Sequence, residues 1–595
     1  MSTALRAVGL RAPLRLAAAV PALVLSDPMR NADAIVSVIR RAEEEKADYL
    51  ALPELCLAGA TAGTLLAHPV MLQACQEALR KIADATLRTN VTVSVGLPYE
   101  IGGEVLSAAA ILRGGRVHAI IPAASRENPY GFLPALARCS SRRQALTPVP
   151  RLSVAFGNEL FDREADIREG CVLLMPSSLN ATARSFREVK AALAARSART
   201  GMAIAYAAAG LGESTTSFVF DGLCAIAAGG EVLAVSKPLE KEPFVIAEVD
   251  SEKLLAFEPY PAEPVSTGRF VSDEADIRSE ELVRILDLQA AALARRLTHI
   301  RSKGFVLGIS GGLDSSLALL AAAAAADRLN MPRSCIVAIS MPGFGTSGRT
   351  KNNAELLPRA LGCEYREISV VPASRQHFSD IGHDEANRNV VYENAQARER
   401  TKILLSIANA EGLLEVGTGD LSEIALGWCT FGGDHMAQYG INSSIPKTVI
   451  RMVVSAAKER FPAAADILQD ILDTPVSPEL LPTDSEGEIA QKTEEVVGSY
   501  ELHDFFIWHF LKGKGPRELY DMAAKELPFP KKEIHRVLGV FLRRFFASQF
   551  KRNSAPEAPL VVASIAPDVF TMPSDMAGVP FMQEYESIPV PEEEE

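Results

Sequence analysis

The sequence predicts an α/β protein built from two large units, on three observations. Apolar stretches of strand length alternate with helix-patterned segments from the start. A chain of 595 residues exceeds what one hydrophobic core normally holds. A proline-rich break near residue 260 separates two such alternating runs.

The elements follow in order. A first strand at 17–25 (AAAVPALVL) leads into a helix over 31–45, a strand at 49–55 (YLALPEL), a second helix and a strand at 91–99 (VTVSVGLPY). Residues 108–121 form a hairpin turning at Gly114-Gly115, and 218–236 form another around Gly229-Gly230. Further strands fall at 152–160, 171–178, 203–210 and 244–250. Arg6, Arg11 and Arg15 ahead of LAAAVPALVLS give a superficial likeness to a secretory signal. Asp27-Pro28 ends that run, a helical pattern follows at once and no small-residue cleavage site stands out, so a buried first strand is the better reading. Pro259, Pro261 and Pro264 mark the break. The predicted boundaries are therefore 1–265, a linker at 266–278, a second unit at 279–550 and a tail at 551–595. The tail is rich in Pro, Ser and acidic residues, which predicts a solvated, poorly ordered end.

Hydrophobic residues make up 48% and charged residues 23%, which excludes a disordered or collagen-like chain. The formal net charge is -13, arguing against nucleic acid or an anionic membrane as partner. The eight cysteines show no Cys-x-x-Cys spacing, which suggests reduced thiols and a cytoplasmic protein. No apolar run is long enough to span a bilayer.

The richest segment is Ser310-Gly311-Gly312-Leu313-Asp314-Ser315-Ser316, between an apolar strand and an Ala/Leu-rich helix. A loop at a helix N-terminus offers unpaired N–H groups and the positive dipole end to a phosphate. Ser310, Ser315 and Ser316 can donate hydroxyls, and Gly311 and Gly312 allow close backbone approach. Asp314 by itself would repel phosphate, a conflict that Mg²⁺ bridging carboxylate and phosphate oxygens removes. No Lys follows the glycines, so this is not the P-loop of nucleoside triphosphatases.

The loop resembles the SGGxDS loop of the N-type ATP pyrophosphatases. Segments 341–354, 380–385, 392–409, 416–448, 476–483 and 500–508 together resemble the NAD synthetase family, over about 279–549. The resemblance implies a doubly wound parallel-sheet domain that uses ATP and Mg²⁺ to adenylate nicotinic acid adenine dinucleotide, after which ammonia displaces AMP. It assigns ATP binding to Ser310, Gly311, Gly312, Asp314, Ser315, Ser316 and Thr418. Asp314 and Glu423 become metal ligands, and Lys447 the cation facing developing phosphate charge. Trp428, Asp434, His503 and Asp504 fall at the dinucleotide. A homo-oligomer, dimer or octamer, is implied as well.

The first 265 residues resemble the glutaminase domain of the two-domain members, a nitrilase-like α-β-β-α sandwich, through segments 49–63, 197–222 and 229–234. That domain uses a Glu-Lys-Cys triad. Glu54 matches the base, but Ala123 stands where the lysine belongs and Gly157 where the cysteine belongs. Neither side chain can form a thioester or carry a cation. The expectation is an inactive front domain and ammonia that is free or supplied by a separate protein. Two other readings are an adenylating ligase acting on a different carboxylate or amine, and a non-catalytic regulatory homologue. The retained Ser310, Asp314, Glu423 and Lys447 weigh against the second.

Overall fold

The computed structural model describes residues 13–123, 130, 132, 134, 136, 152–162, 171–250, 268–345, 348–474 and 497–591. Segment 476–483 and Cys139 lie outside them. The chain divides into two compact units, Met1–Val265 and Ser266–Glu595.

In the first unit, β1 (Leu14–Ala19), β2 (Tyr49–Ala51), β3 (Thr92–Ile101), β4 (Glu104–Arg113), β5 (Arg116–Pro122) and β11 (Phe244–Val249) form a six-stranded sheet in the order β11-β1-β2-β3-β4-β5. The remaining strands, β6 (Leu152–Val154), β7 (Val172–Ser177), β8 (Ala203–Ala208), β9 (Cys224–Ala228) and β10 (Glu231–Val235), form a second sheet in the order β10-β9-β8-β7-β6. Side chains alternate across each strand, so each sheet has two apolar faces to cover. Leu16, Ala18 and Ile111 of the first sheet meet Val172, Leu174 and Ile226 of the second in one buried cluster. On the outer face of the first sheet, helices α1 (Pro28–Glu44) and α2 (Pro69–Ala85) bury Ile35, Ile39 and Ile82 against Val93 and Val95. Helix α3 (Ser185–Thr200) covers the second sheet with Val189 and Leu193. The result is a four-layer α-β-β-α sandwich. The first strand is internal, paired to β11 on one side and β2 on the other, and covers Leu14–Ala19 rather than the expected 17–25, ending ahead of Pro21, which has no N–H to give a ladder.

The second unit begins with helix α4 (Ala275–Ile300), four residues earlier than the proline pattern suggests. Strands β12 (Phe305–Gly308), β13 (Ile336–Ser340), β14 (Glu364–Glu367), β15 (Leu414–Gly417) and β16 (Tyr439–Gly440) form a parallel sheet in the order β14-β13-β12-β15-β16. Helix α5 (Leu313–Arg328) follows β12, and α6 (Val390–Glu411) packs Leu404 and Ala408 onto Val306, Val337 and Ile339. Beyond β15 come α7 (Leu421–Leu426), α8 (Lys447–Arg460), α9 (Tyr500–Leu511) and α10 (Lys531–Ala547). Strand order reverses between β12 and β15, and in such sheets the crevice beyond the strand ends at that point is where ligands bind.

The tail departs from expectation. Leu560, Val561, Ile565 and Ile588 are buried, Ser444 Oγ donates to the Pro559 carbonyl at 2.7 Å, and a further helix, α11 (Val579–Glu586), packs Tyr585 beside His535. Its acidic composition hides well-spaced apolar anchors. No helix among the described residues is long and apolar enough to cross a membrane.

Candidate active site

A cavity of about 820 Å³ opens at the reversal point, walled by the ends of β12, β13 and β15. Ser310, Gly312, Asp314 and Ser315 line it, together with Thr418, Glu423, Trp428 and Asp434. Gly311 takes φ +83, a left-handed turn that a side chain disfavours, and Gly312 stands extended as the N-cap of α5. The sixteen-residue helix thus aims its free N–H groups into the cavity. Ser310 Oγ and Ser315 Oγ lie 3.1 Å apart. Gly311 and Ser316 are not on the wall: Ser316 is buried and its hydroxyl donates to the Gly312 carbonyl at 2.7 Å. It serves the first turn of the helix.

At one side of this loop Lys447, the first residue of α8, buries its ammonium among three carboxylates. Its Nζ stands 2.7 Å from Asp314, 2.5 Å from Asp420 and 2.9 Å from Glu423. Burial alone would push this amine down, but the three carboxylates outweigh it and hold it up, fully charged. Burial pushes Asp420 up, and lifts Glu423 to about 7. Asp420 is the residue that motif reading missed. It N-caps α7 by accepting from Glu423 N at 2.8 Å, and the D-x-x-E pattern at 420–423 reads as an ordinary helix start. With all groups ionised, three carboxylates and one ammonium leave two negative charges. One oxygen from each carboxylate lies within 4.8 Å of the others, and Asp314 Oδ1 has no hydrogen-bond partner among the described residues. Such an oxygen-only set suits a hard divalent cation.

Trp428 carries the Arg544 guanidinium 4.8 Å from its ring centroid, and Lys551 binds the carbonyls of Gly427 and Cys429. Arg544 and Lys551 also line the cavity and give it cationic groups that the sequence did not mark. Asp434 accepts from Thr430 N at 2.7 Å.

His503 and Asp504 do not line the cavity. Both sit on α9, buried, His503 donating from Nε2 to the Val497 carbonyl at 2.9 Å. Burial pushes His503 down to about 4 and Asp504 up to about 6. The neutral histidine therefore contributes stability that is complete above the unfolded value near 6.5 and is lost as pH falls toward 4, roughly 3 kcal/mol in all. Asp504 has the opposite slope, costing stability above 6 and less as it protonates. His503→Gln is expected to lose the histidine term, so between pH 6.5 and pH 4.5 the variant's stability changes more favourably than the parent's, by up to roughly 3 kcal/mol. Urea unfolding of both proteins across this range checks it.

In the first unit Glu54 is buried, its two oxygens accepting from Ser107 Oγ and Ser178 Oγ, each at 2.7 Å. Ala123 is buried in the apolar cluster between the sheets. Gly157 follows β6, and a Cβ built on it would fall 2.0 Å from Ser177 Oγ and 2.4 Å from Ser177 Cβ. Ser177 Oγ in turn lies 2.9 Å from the Tyr206 hydroxyl. The space a cysteine side chain would need is filled. Cys56 and Cys171 offer no substitute: both are buried in apolar clusters, and burial pushes the Cys56 thiol up to about 12.

The NAD synthase family model matches residues 285–555. The glutamine-dependent NAD(+) synthetase of Mycobacterium leprae is 31% identical over 98% of each chain, and that of Mycobacterium tuberculosis 32% identical over 92% of this chain and 93% of its own. Among solved structures, a glutamine-dependent NAD(+) synthetase from Cytophaga hutchinsonii shares the fold with a TM-score of 0.78 at 17% identity, covering 97% of this chain and 100% of that one. One from Acinetobacter baumannii, in complex with ADP, gives 0.65 at 18% identity over 93% and 98%. With both units present and relatives matching along nearly its whole length, the chain belongs to the glutamine-dependent NAD(+) synthetase family.

Proposed function

We propose that this protein amidates nicotinic acid adenine dinucleotide to NAD by way of an acyl adenylate, using ammonia that its own first unit does not release. The observation that carries the adenylating half is Lys447, held charged among Asp314, Asp420 and Glu423 beside the phosphate loop. A carboxylate is a poor electrophile, and ATP converts it to one with AMP as leaving group. In this reading the N-terminus of α5 with Ser310 and Ser315 binds the phosphates, and Lys447 meets the negative charge that grows on them as pyrophosphate leaves. Asp314, Asp420 and Glu423 would hold Mg²⁺, which when bound offsets phosphate charge. Trp428, Arg544, Lys551 and Asp434 form the wall for the dinucleotide.

The relatives are named for glutamine, and their nearness is the reason the ammonia source needs its own argument. Glu54 persists here, but Ser177 occupies the nucleophile's space and Ala123 carries no charge. A base without a nucleophile cannot open an amide through a thioester.

The test incubates the protein with Mg-ATP and the dinucleotide, with ammonium in one arm and glutamine in the other, and measures NAD, AMP and glutamate. NAD and AMP in equal amounts with ammonium, and no glutamate with glutamine, are expected. Glutamate release would overturn the ammonia assignment. Absence of both NAD and AMP with ammonium would overturn the synthetase reading.

A further inference from the structure

We infer that Asp504 is a positioning residue that sets where the Lys447 ammonium points, without touching either substrate. The inference rests on the synthetase reading just given. Asp504 lies outside the cavity wall, 3% exposed, yet its carboxylate bridges the two helices that build the charged cluster. Ser422 Oγ donates to Oδ1, and Thr448 donates to Oδ2 from its backbone N at 2.9 Å and its hydroxyl at 2.7 Å. Ser422 Oγ also accepts from Lys447 N at 2.9 Å. One side chain thereby ties the helix that carries Glu423 and is capped by Asp420 to the first turn of the helix that opens with Lys447.

The need for such a tie is physical. α7 has six residues, too few to hold itself as a helix or fix its own direction, so tertiary contacts must do so. Lys447 sits at the very start of α8, where backbone N–H groups have no helical partner, and Ser422 and Asp504 satisfy those of Lys447 and Thr448. One turn before Asp504 on α9, the Tyr500 ring lies 5.3 Å from the Lys447 ammonium. The same face of α9 therefore bounds Lys447 at its backbone and at its tip. A shift of about 1 Å in a group aimed at a transition state costs on the order of 100-fold in rate.

An Asn at 504 has one acceptor oxygen and no charge, so the charge-assisted bonds to Ser422 and Thr448 weaken and Ser422 must turn its hydroxyl to accept from the new amide. For Asp504→Asn, kcat for NAD formation with ammonium should fall on the order of 100-fold, while KM for ATP and for the dinucleotide stays within about twofold, because only transition-state stabilisation is lost. Thr448→Val, which removes a single hydroxyl tie, should lose about tenfold in kcat, and Thr448→Ser should regain most of it; this pair carries the test should D504N fail to fold. Three results would overturn the role: D504N with a lower melting temperature but kcat within threefold of the parent; a dinucleotide KM raised tenfold at unchanged kcat, the mark of direct contact; or T448V as fast as the parent. The parent assayed alongside separates the two claims. A parent that makes no NAD overturns the synthetase reading and this role with it, whereas an active parent matched by its variants overturns the role of Asp504 alone.

Discussion

Lys447→Met should cut NAD formation by about 1,000-fold, the scale seen when one preorganised charge-stabilising group is removed from a transition state. Lys447→Arg should recover little of it, because a planar guanidinium does not fit a pocket that surrounds one nitrogen with three carboxylates at 2.5–2.9 Å. The Met variant should also unfold more easily, by roughly 2–4 kcal/mol, since Asp420 is fully buried and would face two like charges. The figure stays below that of a wholly buried pair because Asp314 and Glu423 each keep about a quarter of their side chains exposed. Mg²⁺ should restore part of the lost stability, as a second cation able to sit among the same oxygens. Steady-state kinetics and chemical unfolding with and without Mg²⁺ read both effects. A variant keeping a tenth of the parent kcat would remove Lys447 from the chemistry.

Rebuilding the glutaminase triad should fail for a steric reason. Gly157→Cys with Ala123→Lys restores the missing chemistry on paper, yet the new Cβ lands 2.0 Å from Ser177 Oγ. Overpacking of this kind costs about 2–3 kcal/mol and pushes neighbours off their rotamers. The double variant should release no glutamate from glutamine and should unfold at lower denaturant than the parent. Adding Ser177→Gly makes room, and Tyr206→Phe removes the hydroxyl that would otherwise lose its partner. The fourfold variant should regain the stability lost to overpacking, but not what an ammonium at position 123 costs inside the apolar cluster. Glutamate production by the double variant alone would show that Ser177 is no obstacle.

Much of this was legible in the sequence and some was not, for identifiable reasons. The Ser310–Asp314 turn into α5 could be read because it rests on local backbone geometry, and both Gly-Gly hairpins for the same reason. The absence of thiol and amine at 157 and 123 is likewise a matter of residue type. That Ser177 takes the vacated space is invisible locally: β6 and β7 pair in parallel with Val154 opposite Leu174, and the same offset carried past the strand ends brings 157 beside 177. Asp420 looked like a helix cap because it is one. His503 and Asp504 belong to a recognisable segment, but which face of a helix meets the cavity depends on packing that spacing does not encode. The tail was misread because averaged polarity conceals a few apolar anchors, of which Val561 and Ile565 are the most deeply buried.

The pairing of β1 with β11 bears on how the chain is born. Leu14 faces Val249 across that ladder, so more than 200 residues must leave the ribosome before the first strand finds its antiparallel neighbour. Until then β1 presents an open, almost wholly apolar edge. Loop closure over such a span is slow, and nascent chains halted before residue 244 should need a holding chaperone or else cluster through that edge. Fragments ending at 240 and at 255, made by coupled transcription and translation and compared for sedimentation, would place the point at which the first unit becomes self-sufficient.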